Sequence, residues 1–168
     1  EGWDLDEIAV LYRSNAQSRV IEQSLFRSGI PYKIYGGLRF YERQEIKHAL
    51  AYLRLAVNPD DDNALLRVIN FPPRGIGART IENLQMASNE QGITLWQAAC
   101  NAGAKAGKVA AFVRLIEALR NQVGQLPLPE IIVGILKDSG LTEHYRTQKG
   151  DNQDRLDNLD ELVNAAIE

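Results

Sequence analysis

With 168 residues, 45% of them hydrophobic and 24% charged, the chain is large enough for one good core, or for a small domain attached to part of another, and its composition is globular rather than disordered. No apolar run approaches the ~20 residues that span a bilayer, the acidic start at Glu1 and Asp4 is not a signal peptide, and the lone Cys100 excludes an internal disulfide and fits a reducing, intracellular setting. The net charge of −3 argues against a generally basic nucleic-acid binder, yet residues 13–54 hold eight Lys/Arg against three Glu, while residues 151–168 hold six acids and one Arg. Such a split is compatible with a DNA-facing side and a solvated outer side.

Ile8, Ala9, Val10 and Leu11, followed by Tyr12 and Arg13, form an apolar run of strand length. Ser14 or Asn15 is placed to cap the helix that follows, because a side-chain oxygen there takes up a free first-turn N–H. Val20, Ile21, Ser24 and Leu25 share one face of that helix, and Gly29 with Pro31 stops it. Tyr32 to Tyr35 reads as a second short strand, closed by Gly36 and Gly37. Strand, helix, strand with short links is a βαβ unit, which implies a parallel sheet. Two parallel strands do not stand alone, so partner strands are expected elsewhere. Met86 is the first methionine, and the last residues still follow an amphipathic pattern. Both features predict a piece of a longer protein.

From Glu42 onward the pattern is almost entirely helical. Ile46, Ala49, Leu50, Leu53 and Val57 make one stripe, ended by Asn58 and Pro59. Asp62 or Asn63 caps a short helix with Leu65, Leu66 and Ile69. A helix with Ile81, Leu84 and Ala87 stops near Gly92, and Thr94 caps the next, which runs to Ala102. Val109, Phe112, Val113, Ile116, Leu119 and Val123 form the clearest amphipathic helix. Pro127 and Pro129 open another, carrying Ile131, Ile132, Ile135 and Leu136 and ending at Ser139 and Gly140. Leu156, Leu159, Leu162, Val163 and Ala166 form the last. These stripes read as core. Arg43 and Lys47, one turn apart, read as surface residues beside Glu42 or Glu45.

The most informative stretch lies between the helices ending near Asn70 and beginning near Ala78: Phe71-Pro-Pro-Arg-Gly-Ile-Gly-Ala-Arg-Thr80. Gly75 and Gly77 allow backbone conformations that side-chain-bearing residues avoid. The next helix presents unpaired first-turn N–H groups, an anion-binding surface. Arg74, Arg79 and Thr80 add two cations and a hydroxyl, and no acid occurs between Asn63 and Ile81. Such a turn suits a nucleic-acid phosphate without touching a base edge. A plain helix–helix corner with surface arginines is the competing reading.

Catalytic signatures are missing. There is no Gly-rich loop ending in Gly-Lys-Ser/Thr, and Gly36-Gly37-Leu38 lacks the third glycine of a dinucleotide site. His48 and His144 are the only histidines, without metal-like spacing. Asp60, Asp61 and Asp62 form a solvated loop and cap rather than a calcium loop.

Leu11-Tyr-Arg-Ser-Asn-Ala-Gln-Ser-Arg19 and Tyr35-Gly-Gly-Leu-Arg-Phe-Tyr-Glu-Arg-Gln-Glu-Ile-Lys47 closely resemble the UvrD/PcrA/Rep group of superfamily 1 DNA helicases. Ala51-Tyr-Leu-Arg-Leu55, Asn70-Phe-Pro-Pro-Arg-Gly-Ile-Gly77 and Leu156-Asp-Asn-Leu-Asp-Glu-Leu162 continue the resemblance in the family's order. It implies a mainly α fold, a helical bundle-like subdomain preceded by a partial βαβ unit of a RecA-like α/β domain. Residues 1–41 would belong to motor domain 2A, and residues 42–168 to the inserted helical subdomain 2B, cut short at its C-terminus. The implied parent is a bacterial, cytoplasmic, nucleoid-associated enzyme that hydrolyses ATP with Mg²⁺ and moves 3′ to 5′ on single-stranded DNA. Its phosphate-loop and magnesium motifs would lie in domain 1A, so this segment would hold no cofactor and would not catalyse. The implied partners are single-stranded DNA and a duplex junction, domains 1A, 1B and 2A, and repair proteins, with no membrane. Arg13, Asn15 and Arg39 match single-strand contacts, with a helix cap as the competing role of Asn15. Arg74, Gly75, Ile76 and Gly77, with Arg79 and Thr80, match a grip on duplex backbone.

Overall fold

The computed structural model describes residues 3–35, 37–104, 107–150 and 152–167. The mainly α fold expected from the sequence is observed. Among the described residues there are nine α-helices: α1 (Ser18–Arg27), α2 (Gln44–Val57), α3 (Asp62–Val68), α4 (Ala78–Gln91), α5 (Leu95–Gly103), α6 (Lys108–Gln122), α7 (Leu128–Asp138), α8 (Leu141–Thr147) and α9 (Gln153–Ala165). Single 3-10 turns at Leu5–Glu7, Asn15–Gln17 and Phe40–Glu42 precede α1 or α2.

Helix α2 is the axis of the molecule. It packs against α3, α6, α7 and α9, while α5 packs against both α4 and α6, and α7, α8 and α9 pack on one another. The core draws Ile46, Tyr52 and Leu55 from α2, Leu65 and Val68 from α3, Leu84 from α4, and Phe112, Ile116 and Leu119 from α6. Leu95 and Trp96 of α5, Ile131 and Ile135 of α7, Tyr145 of α8, and Leu159 and Leu162 of α9 belong to it as well. Most predicted stripes therefore face inward. Exceptions are Val20 on α1 and Leu66 on α3, both exposed, and the C-terminal end of the α2 stripe, where Val57 is exposed while Tyr52, Leu55 and Ala56 are buried. Helix α2 is enclosed on several sides, so its buried surface is wider than one stripe.

Start and stop signals behave as their chemistry requires. Asp61 caps α3, its Oδ1 accepting from Ala64 N at 2.9 Å, one residue before the predicted Asp62 or Asn63. Thr94 Oγ1 accepts from Gln97 N, and Gln97 returns a bond to Thr94 N, a reciprocal cap on α5. Gly92 ends α4 in the left-handed conformation. Helix α8 has no counterpart in the sequence reading. It is only seven residues long, too short for periodicity to declare itself.

The two predicted strands do not form. Residues 8–13 and 32–35 have no ladder among the described residues, where the one bridge joins Val123 to Leu126. Strand preference expresses a fit to neighbouring pleated surface, and an isolated pair lacks that surface. Ile8, Val10 and Leu11 are accordingly exposed, Leu11 to 93%.

Candidate nucleic-acid interface

The turn between α3 and α4 is built around one amide side chain. Asn70 Oδ1 accepts from both Arg74 N and Ile76 N, each at 3.0 Å, and so folds the five intervening residues back on themselves. Ile76 fills the core and anchors the loop tip from inside. Gly75 has φ +77°, a conformation that requires glycine. Gly77 does not: its φ of −80° and ψ of 173° are ordinary extended backbone at the N-cap of α4. A side chain at 77 would meet nothing within 4 Å, so what glycine contributes there is an open approach to the helix N-terminus.

That approach leads to unpaired donors. The N–H groups of Gly75, Gly77, Ala78 and Arg79 have no partner among the described residues, whereas those of Thr80 and Ile81 already donate to Gly77 O. Arg79 is exposed and Thr80 half-buried. Four free N–H groups at the positive end of a 14-residue helix form an anion-binding surface. Lys108, the first residue of α6, adds a cation that the sequence reading missed; it lies against Gly75, where a Cβ would come within 2.9 Å of its Cε. The 33 positions separating the two residues left no local signal.

Arg74, predicted to face the duplex, points inward. Its Nη2 donates to Tyr52 Oη at 2.6 Å and to Phe71 O at 3.3 Å. Tyr52 Oη in turn donates to Phe71 O at 2.6 Å. Burial, partly opposed by the positive charge of Arg74, pushes the Tyr52 phenol up to about 12, so it stays a donor. Behind the turn, the Phe71 ring stacks on His48 at 3.8 Å and meets His144 edge-on at 4.8 Å. His48 Nδ1 is hydrogen-bonded to Tyr145 Oη at 3.1 Å. Burial first, then the charges of Arg67, His144 and Arg155, hold His48 down at about 4. It is therefore a neutral structural imidazole at neutral pH.

The predicted single-strand residues all precede α2 in the chain. Arg13 is exposed, and its N–H and that of Ser14 both donate to Gln17 Oε1. Ser14, one of the two residues expected to cap, is the N-cap of the 3-10 turn at Asn15–Gln17, and Gln17 supplies the reciprocal half of the capping box. The Asn15 side chain donates to Asp154 Oδ2 of α9 at 2.8 Å. Arg39 is exposed with its guanidinium over the Tyr32 ring, 5.5 Å from the centroid. No direct bond joins Arg39 to Arg13 or Asn15 among the described residues; Arg43 bonds Asn15 O and reaches Leu38 O, next to Arg39.

Arg43 corrects the surface role expected of it. It is 8% exposed and precedes α2 rather than lying on its outer face. Its Nη1 donates to Asn15 O and to Asn158 Oδ1, each at 2.7 Å. Its Nη2 donates to Ser18 Oγ at 2.7 Å, and its Nε reaches Leu38 O at 3.4 Å. Asn158 Nδ2 donates to Glu45 Oε1 at 2.7 Å, so the buried carboxylate and guanidinium are joined through one amide. Nearby, Arg19 pairs with Glu161 at 2.6 Å.

The model of the UvrD-like helicase C-terminal domain matches residues 1–168. The chain belongs to that family. It is 48% identical to DNA helicase II of Escherichia coli K12 over 98% of this chain and 24% of that protein. Against DNA helicase II of Haemophilus influenzae Rd the identity is 50%, over 99% of this chain and 24% of that protein. Against the ATP-dependent DNA helicase PcrA of Bacillus subtilis 168 it is 41%, over 95% and 22%. The chain thus spans about a quarter of the length of these relatives.

Proposed function

We propose that this chain is the DNA-gripping segment of an ATP-dependent DNA helicase that moves 3′ to 5′, serves repair or replication, and works in the bacterial cytoplasm at the nucleoid. The observation that carries the reading is the turn at Gly75 to Thr80. Its N–H groups and Arg79, without partners among the described residues, and its open glycine face are suited to duplex phosphates and offer nothing to a base edge. Arg13, Asn15 and Arg39 would line the single strand, with Asn15 exchanging Asp154 for DNA.

The first buried apolar side chain is Phe40. This supports a boundary near residue 41 between a motor-domain portion, 2A, and a helical subdomain, 2B. Trp3, Leu11, Phe26 and Tyr35, all exposed before that boundary, are suited to burial against the rest of the parent. ATP hydrolysis belongs to that parent. Among the described residues no group of three or more His, Cys, Asp or Glu is placed to hold a metal ion, and no phosphate loop occurs in the sequence. The residues present do not fit ATP and Mg²⁺, so no chemical step is assigned to them.

Titration of a fluorescent duplex with the chain tests the grip. Saturable binding near ~10⁻⁴–10⁻⁶ M with a steep salt dependence is expected, and Arg79→Glu should weaken it about tenfold, the scale of one charge-assisted contact. Undiminished binding by Arg79→Glu would sink the reading. ATP hydrolysis by the purified chain would sink the division of labour. A second reading, a regulatory protein-interaction module of the same helicase with little DNA affinity, is favoured by the acidic α9, where Asp154 and Asp160 are exposed. A flat salt dependence would support it.

A further inference from the structure

Arg74 is held at several points at once. Besides its bonds to Tyr52 Oη and Phe71 O, its Nη2 reaches Ser139 O, at the end of α7, at 3.4 Å. The guanidinium carbon lies 5.9 Å from the Tyr52 ring centroid and 5.3 Å from that of Phe112 on α6. Its Nη1 is buried without a partner among the described residues. Reaching a phosphate would break the stacking and the bonds together, and would uncover a phenol that is 0% exposed. Lys108 has the opposite surroundings. It is exposed, has no carboxylate partner among the described residues, and lies against Gly75.

We infer that Lys108 is the phosphate-binding cation beside the turn and that Arg74 is a positioning residue, which fixes the turn against α2, α6 and the end of α7. The assignment rests on the reading of the turn as a duplex grip. It also gives position 75 a second requirement. The left-handed backbone needs glycine, and any side chain there would displace the lysine from beside the free N–H groups.

The test measures duplex affinity across a salt series, together with the amide NMR signals of Gly75 and Gly77 in DNA-free protein. Lys108→Gln should lower affinity roughly tenfold and reduce the slope of log K against log salt by about 0.9, one counterion. Its unfolding midpoint should stay in place. Tyr52→Phe removes only a buried hydroxyl, so a loss of affinity there reports positioning. It should shift both glycine amides and weaken binding with the slope kept. Arg74→Met should do the same, and the double variant should be no worse than Arg74→Met alone. Arg74→Lys should behave like Arg74→Met, because an ammonium keeps the charge but loses the planar fork.

An unchanged slope and affinity in Lys108→Gln overturns the role of the lysine. Unmoved glycine amides and full affinity in Tyr52→Phe overturn that of Arg74, as does a slope loss of about 0.9 in Arg74→Met. If Arg79→Glu weakens binding while the Lys108 and Tyr52 variants do not, this inference falls and the duplex grip stands. If the chain shows no saturable duplex binding, both fall.

Discussion

Residues 3–39 and the helices after them are held in place by different physics. In the helical part, burial is apolar and spread over all eight helices from α2 to α9 plus Phe40, Ile69 and Ile76 outside them, with Tyr52, Leu65 and Ile116 fully enclosed. Before Phe40 the buried residues among those described are Ser18 and Arg19, both polar, while Leu11, Phe26 and Tyr35 face outward. The first region is therefore fixed by directed bonds through Arg43, Arg19 and Asn15. The second is fixed by area removed from water. Directed bonds set geometry precisely but contribute modestly to net stability, whereas apolar burial does the reverse.

This contrast has measurable edges. The largest effect is expected at the junction, where Arg43→Ala would leave Glu45 buried opposite Asn158 with its cation gone. The scale of breaking one partner from a buried ionic network is about 4 kcal/mol, read as a shift in urea unfolding at constant slope. A loss below about 1 kcal/mol would show that the network behaves as a surface pair. Inside the helical part, Ile116→Ala should cost about 3 kcal/mol as a cavity in a closed core, measured the same way.

Acid should act on the helical part through His48. Its folded value of about 4 lies below the ordinary 6.5, so the unfolded chain binds the proton first. The contribution is fully present above pH 6.5 and is lost as pH falls towards 4. Between pH 7.5 and 5 the loss is about 2 kcal/mol by linkage. His48→Gln should flatten that portion of the unfolding profile, and an equally steep profile in the variant would assign the loss elsewhere. The smallest effect is expected in the first region, where Phe26→Ala at a side chain 79% exposed should change stability by less than about 0.5 kcal/mol. A core-sized loss there would show that the outward apolar side chains already hold the segment in place.

What the sequence disclosed follows from the range of each interaction. Helix stripes, the Thr94 cap and the Gly92 stop depend on neighbours within four residues, and they could be read directly. The turn at Gly75 was visible for the same reason. Arg43 was not, because Asn15 and Asn158 stand 28 and 115 positions away. Its spacing from Lys47 carried the only local clue, and that clue pointed to the surface. The inward course of Arg74 was hidden for a related reason: arginine adjacent to a glycine turn looks free until Tyr52 and Phe112 are brought beside it. The strands at residues 8–13 and 32–35 show the converse. Their composition is right for a sheet, yet local composition does not supply the neighbouring strand.

Asn158 places a narrow demand on any redesign of this chain. One end of its amide must accept from a guanidinium while the other donates to a carboxylate, 2.7 Å away on each side. Aspartate would satisfy Arg43 and set a second negative charge against Glu45; leucine would match the volume and leave both ions bereft; glutamine would overshoot by a methylene in a site that is 2% exposed. A saturation library at position 158 should therefore return a near-empty set of folded replacements, unless position 43 or 45 is varied with it.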